Sequence, residues 1–331
     1  MDVFRFDPAV YRDQFVAQGW VHVRNGADEG FLERLRAECR GLARGESRPT
    51  EGEPLRGKGI RGAKNQYLYE PSADVDLSGE LRRLVTGMCG LDGRGFTVSE
   101  RHIKWYDADA DPEPAAHKDR LASQISIGVS IEVPPGSTLV LYPTTDVGVN
   151  PFLTTELRDS LAQDELPEVV LRDTPGVEVE DRPGDVVIFP GSAWWHRRRR
   201  SAGTVNLYLK CNDFTCDPLG EDPSTLSRVR QTAEILRGAT TAELSALVPV
   251  AARQLEWVGT LRGRDGVDRV FAKLWDRAPI QLSESQHALF QALDSRLLVP
   301  DDVGAVDRDL ILHEDLRSLA SRGLIDLISE A

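Results

Sequence analysis

The chain has 331 residues, 40% of them hydrophobic, and its 53 acidic and 40 basic side chains leave a formal net charge of −13. This length favours two domains over a single core, and the negative charge would repel a phosphate backbone, so we expect no nucleic-acid partner. No run approaches the about 20 consecutive apolar residues of a membrane-spanning helix, so no membrane partner is expected. The opening residues MDVFRFDPAVYRDQF lack the basic and apolar regions of a signal peptide, which predicts a cytoplasmic protein.

The first part of the chain predicts two helices, a short strand and a long loop. Residues 9–25 predict a helix that ends at Gly19 and leads into the strand WVHV. Residues 30–44 place apolar side chains at helical spacing among many charges, which predicts an amphipathic surface helix. Residues 50–75 are rich in Gly, Pro, Lys and Arg without periodicity, so we predict a loop there.

From residue 95 to 215 the pattern changes to short β-type runs separated by turns such as those at 134–136 and 182–185. Val, Ile, Tyr and Phe are enriched in these runs, which include FTVSERHIKWY, QISIGVSIEV, DVVIFP and TVNLYLKC. This arrangement predicts an antiparallel sandwich or barrel, with a mostly helical insertion at 151–164.

Residues 222–331 predict a second, mainly helical domain. Residues 222–256 read as helix, and the runs LEWVGTL and DRVFAKLW follow as a hairpin across a Gly-rich turn. The segments SESQHALFQALD and HEDLRSLASRGLIDLI predict two further helices, so the order is that of a winged-helix-like unit. Because its final helix is acidic, we expect this domain to serve homodimerisation or substrate recognition and not DNA binding; bracing of the barrel is the alternative.

The strongest chemical signal is His117-Lys118-Asp119, which places an imidazole and a carboxylate two positions apart just before QISIGVSIEV. On an extended chain these two side chains point to the same side, so both can reach one metal ion. A second imidazole, His196, follows DVVIFPGSAWW. Two histidines and one carboxylate form the facial triad that holds iron(II) and leaves coordination positions open. His22 and His102 each lie in a short β-type run, so we interpret them as packed or surface imidazoles.

The HxD ahead of a β-run, the segment PGDVVIF and the later histidine together resemble the double-stranded β-helix oxygenases dependent on iron(II) and 2-oxoglutarate, particularly the phytanoyl-CoA-hydroxylase-like branch. The resemblance covers roughly residues 10 to 215, including the opening FVAQGWVHVRN. It implies a jelly-roll, cupin-like barrel with flanking helices over residues 1–221, with His117, Asp119 and His196 as iron ligands. It also implies 2-oxoglutarate and O₂ as cosubstrates.

The same family places an Arg or Lys on the strand after the second histidine, where it binds the distal carboxylate of 2-oxoglutarate. This chain departs from that pattern, because the position ten residues after His196 is Asn206. Asn206, Tyr208 and Lys210 share one face of the strand, opposite an apolar face, and either face could line the cavity. Lys210 is the cation that this strand offers.

Other residues are weaker candidates for the cosubstrate or substrate pocket. Lys104 precedes the HxD, and the branch also uses a basic residue upstream. The arginines at 197–200 predict a solvated turn, although one could bind an anionic substrate or the cosubstrate. Trp194 and Trp195 could form an apolar wall or cap the core.

The resemblance implies oxidation of an unactivated C–H bond in a small molecule. Related halogenases lack the carboxylate, so Asp119 favours hydroxylation, or cyclisation or desaturation. The Arg- and Ala-rich composition indicates a GC-rich genome, a source in which oxygenases of this size often tailor natural products. One alternative is a hydroxylase of a peptide or carrier-bound amino acid that uses the C-terminal domain for recognition. Another is a non-catalytic β-barrel binding module, which would require an incomplete triad.

Overall fold

An antiparallel sheet of seven strands, in the order β1-β8-β5-β10-β4-β3-β2, runs through the first of two units into which the chain divides, Met1–Asp213 and Phe214–Ala331. A three-stranded antiparallel sheet, β7-β6-β9, belongs to the same unit. The structure is a computed structural model and describes residues 1–43, 59–60, 64–143, 148–152, 157–238, 240, 243–244, 247–275, 277–297 and 313–329.

The strands of the first unit are β1 (Val21–Val23), β2 (Gly59–Ile60), β3 (Lys64–Leu68), β4 (Thr97–Tyr106), β5 (Ile125–Glu132), β6 (Thr138–Tyr142), β7 (Val177–Val179), β8 (Val186–Phe189), β9 (Trp195–Arg199) and β10 (Val205–Asn212). Its α-helices are α1 (Arg12–Gln18), α2 (Glu29–Ala43), α3 (Leu77–Leu84), α4 (Leu157–Ser160) and α5 (Pro167–Val170). The predicted antiparallel β core is confirmed, and it is consistent with a jelly roll.

Strand β10 lies between β4 and β5 and is buried along its whole length. Its apolar face joins the main core, which also contains Phe31 and Leu35 of α2. The members of that face have no exposed surface: Val205, Leu207, Leu209 and Cys211. Because side chains alternate along a strand, the opposite face, with Asn206, Tyr208 and Lys210, points away from this core. The sequence left open which face of this strand could line a cavity. The apolar face packs in the core with α2, so the polar face is the one that is available.

The predictions for the N-terminal part are confirmed except in the loop. Helix α1 ends at Gly19, whose φ of 75° is the left-handed conformation that glycine adopts easily, and β1 follows. The predicted loop at 50–75 is wrong over Gly59–Ile60 and Lys64–Leu68, because these segments pair with each other as β2 and β3, and β3 also pairs with β4. Residues 44–58 and 61–63 lie outside the described residues. In the predicted insertion, the described part contains only the single helical turn of α4.

The second unit is a mixture of helices and strands. Its elements are α6 (Pro223–Gly238), β11 (Leu247–Ala251), β12 (Leu255–Arg262), β13 (Asp268–Leu274), β14 (Ile280–Leu282), α7 (Glu284–Leu297), α8 (His313–Ser321) and β15 (Ile325–Ser329). The predicted β12–β13 hairpin is confirmed. No helix among the described residues has the length and apolar character needed to cross a membrane.

Two predicted helices of this unit end early, so the prediction of helix is wrong over the two strands that follow them, Leu247–Ala251 and Ile325–Ser329. The segment LVPVA, expected within the first helix, forms β11, since proline and β-branched residues disfavour a helix interior. The last helix stops at Ser321, because Gly323 takes a φ of 72°, and the remainder pairs with β11 as β15.

Glu38 on α2 makes the stability of the first unit depend on pH. Burial, together with the charge of Glu70, raises the pKa of the Glu38 carboxyl to about 7 from an ordinary value of 4.5. Between these values the folded protein holds a proton that the unfolded chain releases, so the free energy of unfolding should fall as the pH rises from about 4.5 to about 7. Glu38→Gln should raise Tm at pH 8 and leave it nearly unchanged at pH 4. Calorimetry checks this, with the exposed Glu29→Gln as control; a lower Tm for Glu38→Gln at pH 8 would contradict it.

Candidate metal centre

The three predicted metal ligands come together at the start of β9, which contains His196. Backbone hydrogen bonds position the segment that carries the other two. His117 and His196 exchange two backbone hydrogen bonds of 2.9 Å as an isolated antiparallel bridge. The Asp119 N–H donates to the Gly191 carbonyl at 2.9 Å. One ligand atom of each side chain lies within 4.8 Å of the others, so the positions of the side chains follow from the backbone.

The imidazole of His196 is oriented for metal binding. Its Nδ1 lies 3.0 Å from the Trp194 carbonyl oxygen, which can only accept, so Nδ1 carries the proton and Nε2 keeps its lone pair. Nε2 lies 3.7 Å from Asp119 Oδ2, and the Phe189 ring packs edge-on against the imidazole at 4.9 Å. Burial lowers the pKa of His196, which keeps the ring neutral as a metal ligand must be. His117 is exposed, so it forms the accessible side of the site.

Asp119 is buried, and all its oxygens are engaged. Oδ1 accepts from Lys210 Nζ at 2.7 Å, Oδ2 accepts from Ser126 Oγ at 2.7 Å, and the backbone oxygen accepts from Asn150 Nδ2 at 2.8 Å. Burial alone would raise the pKa of the carboxyl, but the charge of Lys210 holds it well below its ordinary value. Two neutral imidazoles and an ionised carboxylate are a donor set that fits iron(II).

Gly191 leaves room for the Asp119 carboxylate. A Cβ at this position would lie 2.0 Å from Ser126 Oγ and 2.6 Å from Asp119 Oδ2. Gly191→Ala should therefore displace Asp119 and weaken metal binding by about ten- to one-hundred-fold, the loss typical when an outer contact of a ligand is disturbed. Calorimetric titration with Mn(II) measures this. Gly148→Ala, where a Cβ meets nothing within 4 Å, is the control, and equal affinities for the two variants would contradict the assignment.

The buried carboxylate of Glu100, on β4, contacts several basic side chains next to the triad. Its Oε1 lies 3.1 Å from Lys210 Nζ, 3.3 Å from Lys104 Nζ and 3.2 Å from His102 Nδ1, and its Oε2 lies 3.6 Å from Arg120. Burial opposes its ionisation, yet Lys210 and Lys104 hold the pKa of the Glu100 carboxyl well below its ordinary value. His102 is indeed packed, but into this network.

Sequence reasoning missed Glu100 and Arg120. The period-two alternation in SERHIKWY does place Glu100, His102 and Lys104 on one face of a strand, and three ionisable residues on one strand face are the available signal.

The four predicted cosubstrate residues lie close together on β4 and β10. Lys104 Nζ lies 5.0 Å from the centre of the Tyr208 ring, and the Asn206 side-chain amide lies 3.5 Å from the Tyr208 hydroxyl. Lys210 bridges Glu100 and Asp119. In this group of described residues, Lys104, Lys210 and Arg120 face the carboxylates of Glu100 and Asp119, which leaves a surplus of one positive charge.

The arginine run is part of a strand, so the prediction of a solvated turn is wrong for Arg197–Arg199. Arg198 is buried and forms a bidentate pair with Asp181 at 2.7 and 2.6 Å. Arg197 and Arg199 point to the other side, where both pair with Glu113. All three guanidinium groups therefore already have carboxylate partners.

Trp194, just before β9, and Trp195, the first residue of β9, have different surroundings. Trp194 is buried, and a Cβ on Gly19 would lie 2.5 Å from its ring, so it packs on the end of α1. Trp195 is partly exposed and lies beneath Lys118, whose Nζ is 5.1 Å from the ring centre.

Comparisons with known proteins give structural likenesses alone. No protein-family profile and no curated protein matches the chain. A prolyl-4-hydroxylase of Pseudomonas putida matches with 19% identity, 62% of this chain, 96% of that chain and a TM-score of 0.37. The non-heme alpha-ketoglutarate-dependent carbocyclase SnoK from nogalamycin biosynthesis matches with 15% identity, 62% and 83% coverage, and a TM-score of 0.43.

HygX of Streptomyces hygroscopicus, solved with nickel, 2-oxoglutarate and hygromycin B, matches with 14% identity, 63% of this chain, 89% of that chain and a TM-score of 0.40. At these identities and TM-scores the likenesses assign no activity to the chain. Its functional assignment therefore depends on the His117, Asp119 and His196 site itself.

Proposed function

We propose that the first unit is a non-haem iron(II)- and 2-oxoglutarate-dependent dioxygenase that oxidises a C–H bond of a small molecule. The observation that carries the proposal is the convergence of His117, Asp119 and His196, with ligand atoms within 4.8 Å of one another. Such a triad binds iron(II) on one face and leaves the opposite positions open. Iron with 2-oxoglutarate and O₂ supplies the oxidising chemistry when bound, while the protein holds and orients the reactants.

A complete triad favours hydroxylation over halogenation, since Asp119 fills the position that a halide would need. Cyclisation or desaturation follows from the same ligand set. The proposed substrate is a small natural product. The support for this choice is the Arg- and Ala-rich amino-acid composition. The intact triad does not favour the non-catalytic binding module. Anaerobic addition of iron(II) and 2-oxoglutarate tests the proposal, because chelation of the cosubstrate by iron gives a weak visible absorption band.

The cationic face formed by Lys104 and Lys210 is the proposed site for the distal carboxylate of 2-oxoglutarate. Lys210 already contacts two carboxylates at 2.7 and 3.1 Å, whereas the ion pair of Lys104 with Glu100 is longer, at 3.3 Å. Lys104 therefore has the charge that is easier to redirect to a ligand. The surplus positive charge beside the triad suits a dianionic cosubstrate.

Lys104→Met should weaken 2-oxoglutarate binding about ten-fold or more, because a charge-assisted contact contributes roughly 1.5–3 kcal/mol. Metal affinity should stay within about two-fold, since Lys104 does not contact the ligands as Lys210 does. Calorimetric titration of the metal-free chain with Mn(II) measures the metal affinity, and titration of the manganese-loaded chain with 2-oxoglutarate measures the cosubstrate affinity. Lys273→Met in the second unit is the control. Unchanged cosubstrate affinity in Lys104→Met would move the anchor elsewhere.

For the second unit we propose a winged-helix-like module that pairs two copies of the chain or recognises the substrate, with residues 222–331 as its extent. Its acidic last helix, with Glu314 and Asp315 in the first turn, disfavours contact with DNA phosphates. A cytoplasmic homodimer is the corresponding proposal. Light scattering of the full chain measures its mass, and a monomer at micromolar concentration would contradict the pairing.

A further inference from the structure

Strand β12 lies at one edge of the three-stranded sheet of the second unit, with β13 on one side of it. Among the described residues, no strand pairs with its other side, which we call the free edge. After a register shift near Leu255, the six residues Trp257–Arg262 pair regularly with β13. Alternate residues of such a strand point their N–H and C=O groups away from the sheet. No residue of β12 is buried, so a further strand can reach the free edge.

A cavity of about 420 Å³ runs along this free edge. Trp257 and Val258 are successive residues, so their side chains point to opposite faces of the sheet, yet both line the cavity. A cavity that meets both faces lies alongside the strand, and β13 occupies the other side. The opposite wall comes from one face of helix α7, with His287, Phe290 and Gln291. The free edge and this helix face therefore form a groove.

The wall of the groove mixes polar and apolar groups, as a peptide does. An extended peptide offers main-chain hydrogen-bond groups to the edge of a strand and a side chain at every second position. Phe290 and Trp257 line the space that one of these side chains enters. Glu256, also in the wall, is already paired with Lys273, so an unpaired charge on the entering side chain would be costly. The cavity therefore favours an apolar side chain.

The turn after β12 carries a surplus of positive charge. Residues 262–269 contain three arginines and two aspartates, a net charge of +1, whereas the whole chain carries −13. Arg262 lies 3.9 Å from Asp268, and both side chains are exposed, so this pair is weak. Arg264 is exposed and forms no ion pair among the described residues. Acidic side chains on a bound segment would complement this turn.

A second copy of β12 does not supply that complement. An antiparallel copy would place residues near Glu256 opposite Arg262, and Lys273 already neutralises the charge of Glu256. A parallel copy would place one basic turn beside the other. The charge pattern therefore favours a separate acidic segment over a second copy of the chain.

We propose that the groove along the free edge of β12 binds an extended peptide segment with an apolar side chain at one end and acidic side chains at the other. The segment adds a strand to the sheet. Its apolar side chain enters the cavity beside Trp257, and its carboxylates face Arg262 and Arg264. These positions are about 17 Å apart along a strand, so about five residues separate them. The site needs neither iron nor 2-oxoglutarate, so this proposal and the oxygenase assignment can fail separately.

Two acidic probes test the site: acetyl-Thr-Phe-Thr-Val-Thr-Val-Asp-Asp-amide and the same sequence in reverse, because an added strand can run in either direction. Hydrogen exchange of the iron-free full chain, read by mass spectrometry, measures the amides of β12. At about 1 mM, one probe should slow the exchange of roughly half of these amides about ten-fold or more, since those on the free edge gain acceptors. Unchanged exchange in β12 with both probes would overturn the proposal.

Two controls accompany this measurement. The amides of β14, at the opposite edge of the same sheet, should change less than about two-fold. Lysine analogues of the probes, with Lys-Lys in place of Asp-Asp, should leave the exchange of β12 within about two-fold. Equal slowing by the acidic and lysine probes would contradict the charge assignment. Slowing of β12 exchange that grows with chain concentration, without any probe, would place a second copy on the free edge and overturn the proposal.

Alternate N-methylation of the binding probe tests the main-chain contacts. In a strand every second amide faces a given neighbour, so one set of probe amides faces β12 and the complementary set faces away. Methylation of the first set should weaken binding more than about ten-fold, because it removes the donors to β12. Methylation of the complementary set should cost less than about three-fold. Equal effects of the two sets would contradict strand addition.

The double variant Arg262→Glu/Arg264→Glu tests the acidic end of the ligand. At low salt it should bind the acidic probe about ten-fold more weakly and the lysine analogue more tightly, because two exposed charges change sign. Arg230→Glu/Arg237→Glu, at exposed positions of α6, is the matched control and should bind the probe as the parent does. Unchanged affinity in the first variant, or an equal loss in both, would overturn the placement of the carboxylates.

Discussion

His196→Ala is expected to abolish tight iron(II) binding, with a loss of more than about one-hundred-fold in affinity. Disturbing an outer contact of a ligand costs about ten- to one-hundred-fold, so removal of a ligand exceeds this range. The side chain is buried, and its Nδ1 is held by the Trp194 carbonyl, so the vacated space faces apolar Phe189. His117→Ala should cost less than His196→Ala, because His117 is exposed and water can occupy its position.

Anaerobic titration with iron(II), read by metal analysis after desalting, measures these losses. His287→Ala, in the second unit, should bind iron as the parent does and is the matched histidine control. Iron binding in His196→Ala equal to that of the parent would remove this histidine from the site. An equal loss in His287→Ala would indicate binding to surface histidines.

Lys210→Met is expected to lower the free energy of unfolding by about 3–5 kcal/mol, the usual cost of removing one partner from a buried ion pair. Lys210 lies 2.7 Å from Asp119 Oδ1 and 3.1 Å from Glu100 Oε1, and its side chain is 4% exposed. The variant removes a positive charge that both buried carboxylates, Glu100 and Asp119, contact. It should also weaken 2-oxoglutarate binding, since Lys210 is part of the proposed carboxylate site.

Urea unfolding measures the stability, and the double variant Glu100→Gln/Lys210→Met is the control for charge. Replacing Glu100 with a neutral amide removes one of the two carboxylates, so the double variant should recover part of the lost stability. A stability within about 1 kcal/mol of the parent for Lys210→Met alone would mean that the buried network does not hold Lys210 in the folded protein.

The triad could be predicted from the sequence because its determinants are local. The HxD spacing puts two side chains on the same side of an extended segment, and the later histidine follows a clear β-run. The backbone bridge between His117 and His196 brings the HxD segment and the later histidine together. It depends on pairing between distant segments and is not visible in the sequence of either one. The same holds for Gly191, whose contact with Asp119 joins two separate turns.

The buried polar network around Glu100 and Lys210 was harder to predict, since a polar face of a strand can either face solvent or line a cavity. Asn206, Tyr208 and Lys210 could face solvent or line a cavity, and only packing of the apolar face against α2 decides between them. The prediction of helix in place of the last strand was wrong for a related reason. LIDLIS has helical spacing with the preceding residues, but Gly323 ends the helix and pairing with β11 determines the remainder.

Anaerobic titration of the iron-loaded parent chain with 2-oxoglutarate tests the oxygenase assignment most directly. One iron(II) per chain should bind, and a weak visible charge-transfer band should appear and saturate as the cosubstrate chelates the metal. The double variant His117→Ala/His196→Ala should give neither iron binding nor the band. A parent chain that binds iron without producing the band, or a double variant that binds iron and cosubstrate as the parent does, would contradict the assignment.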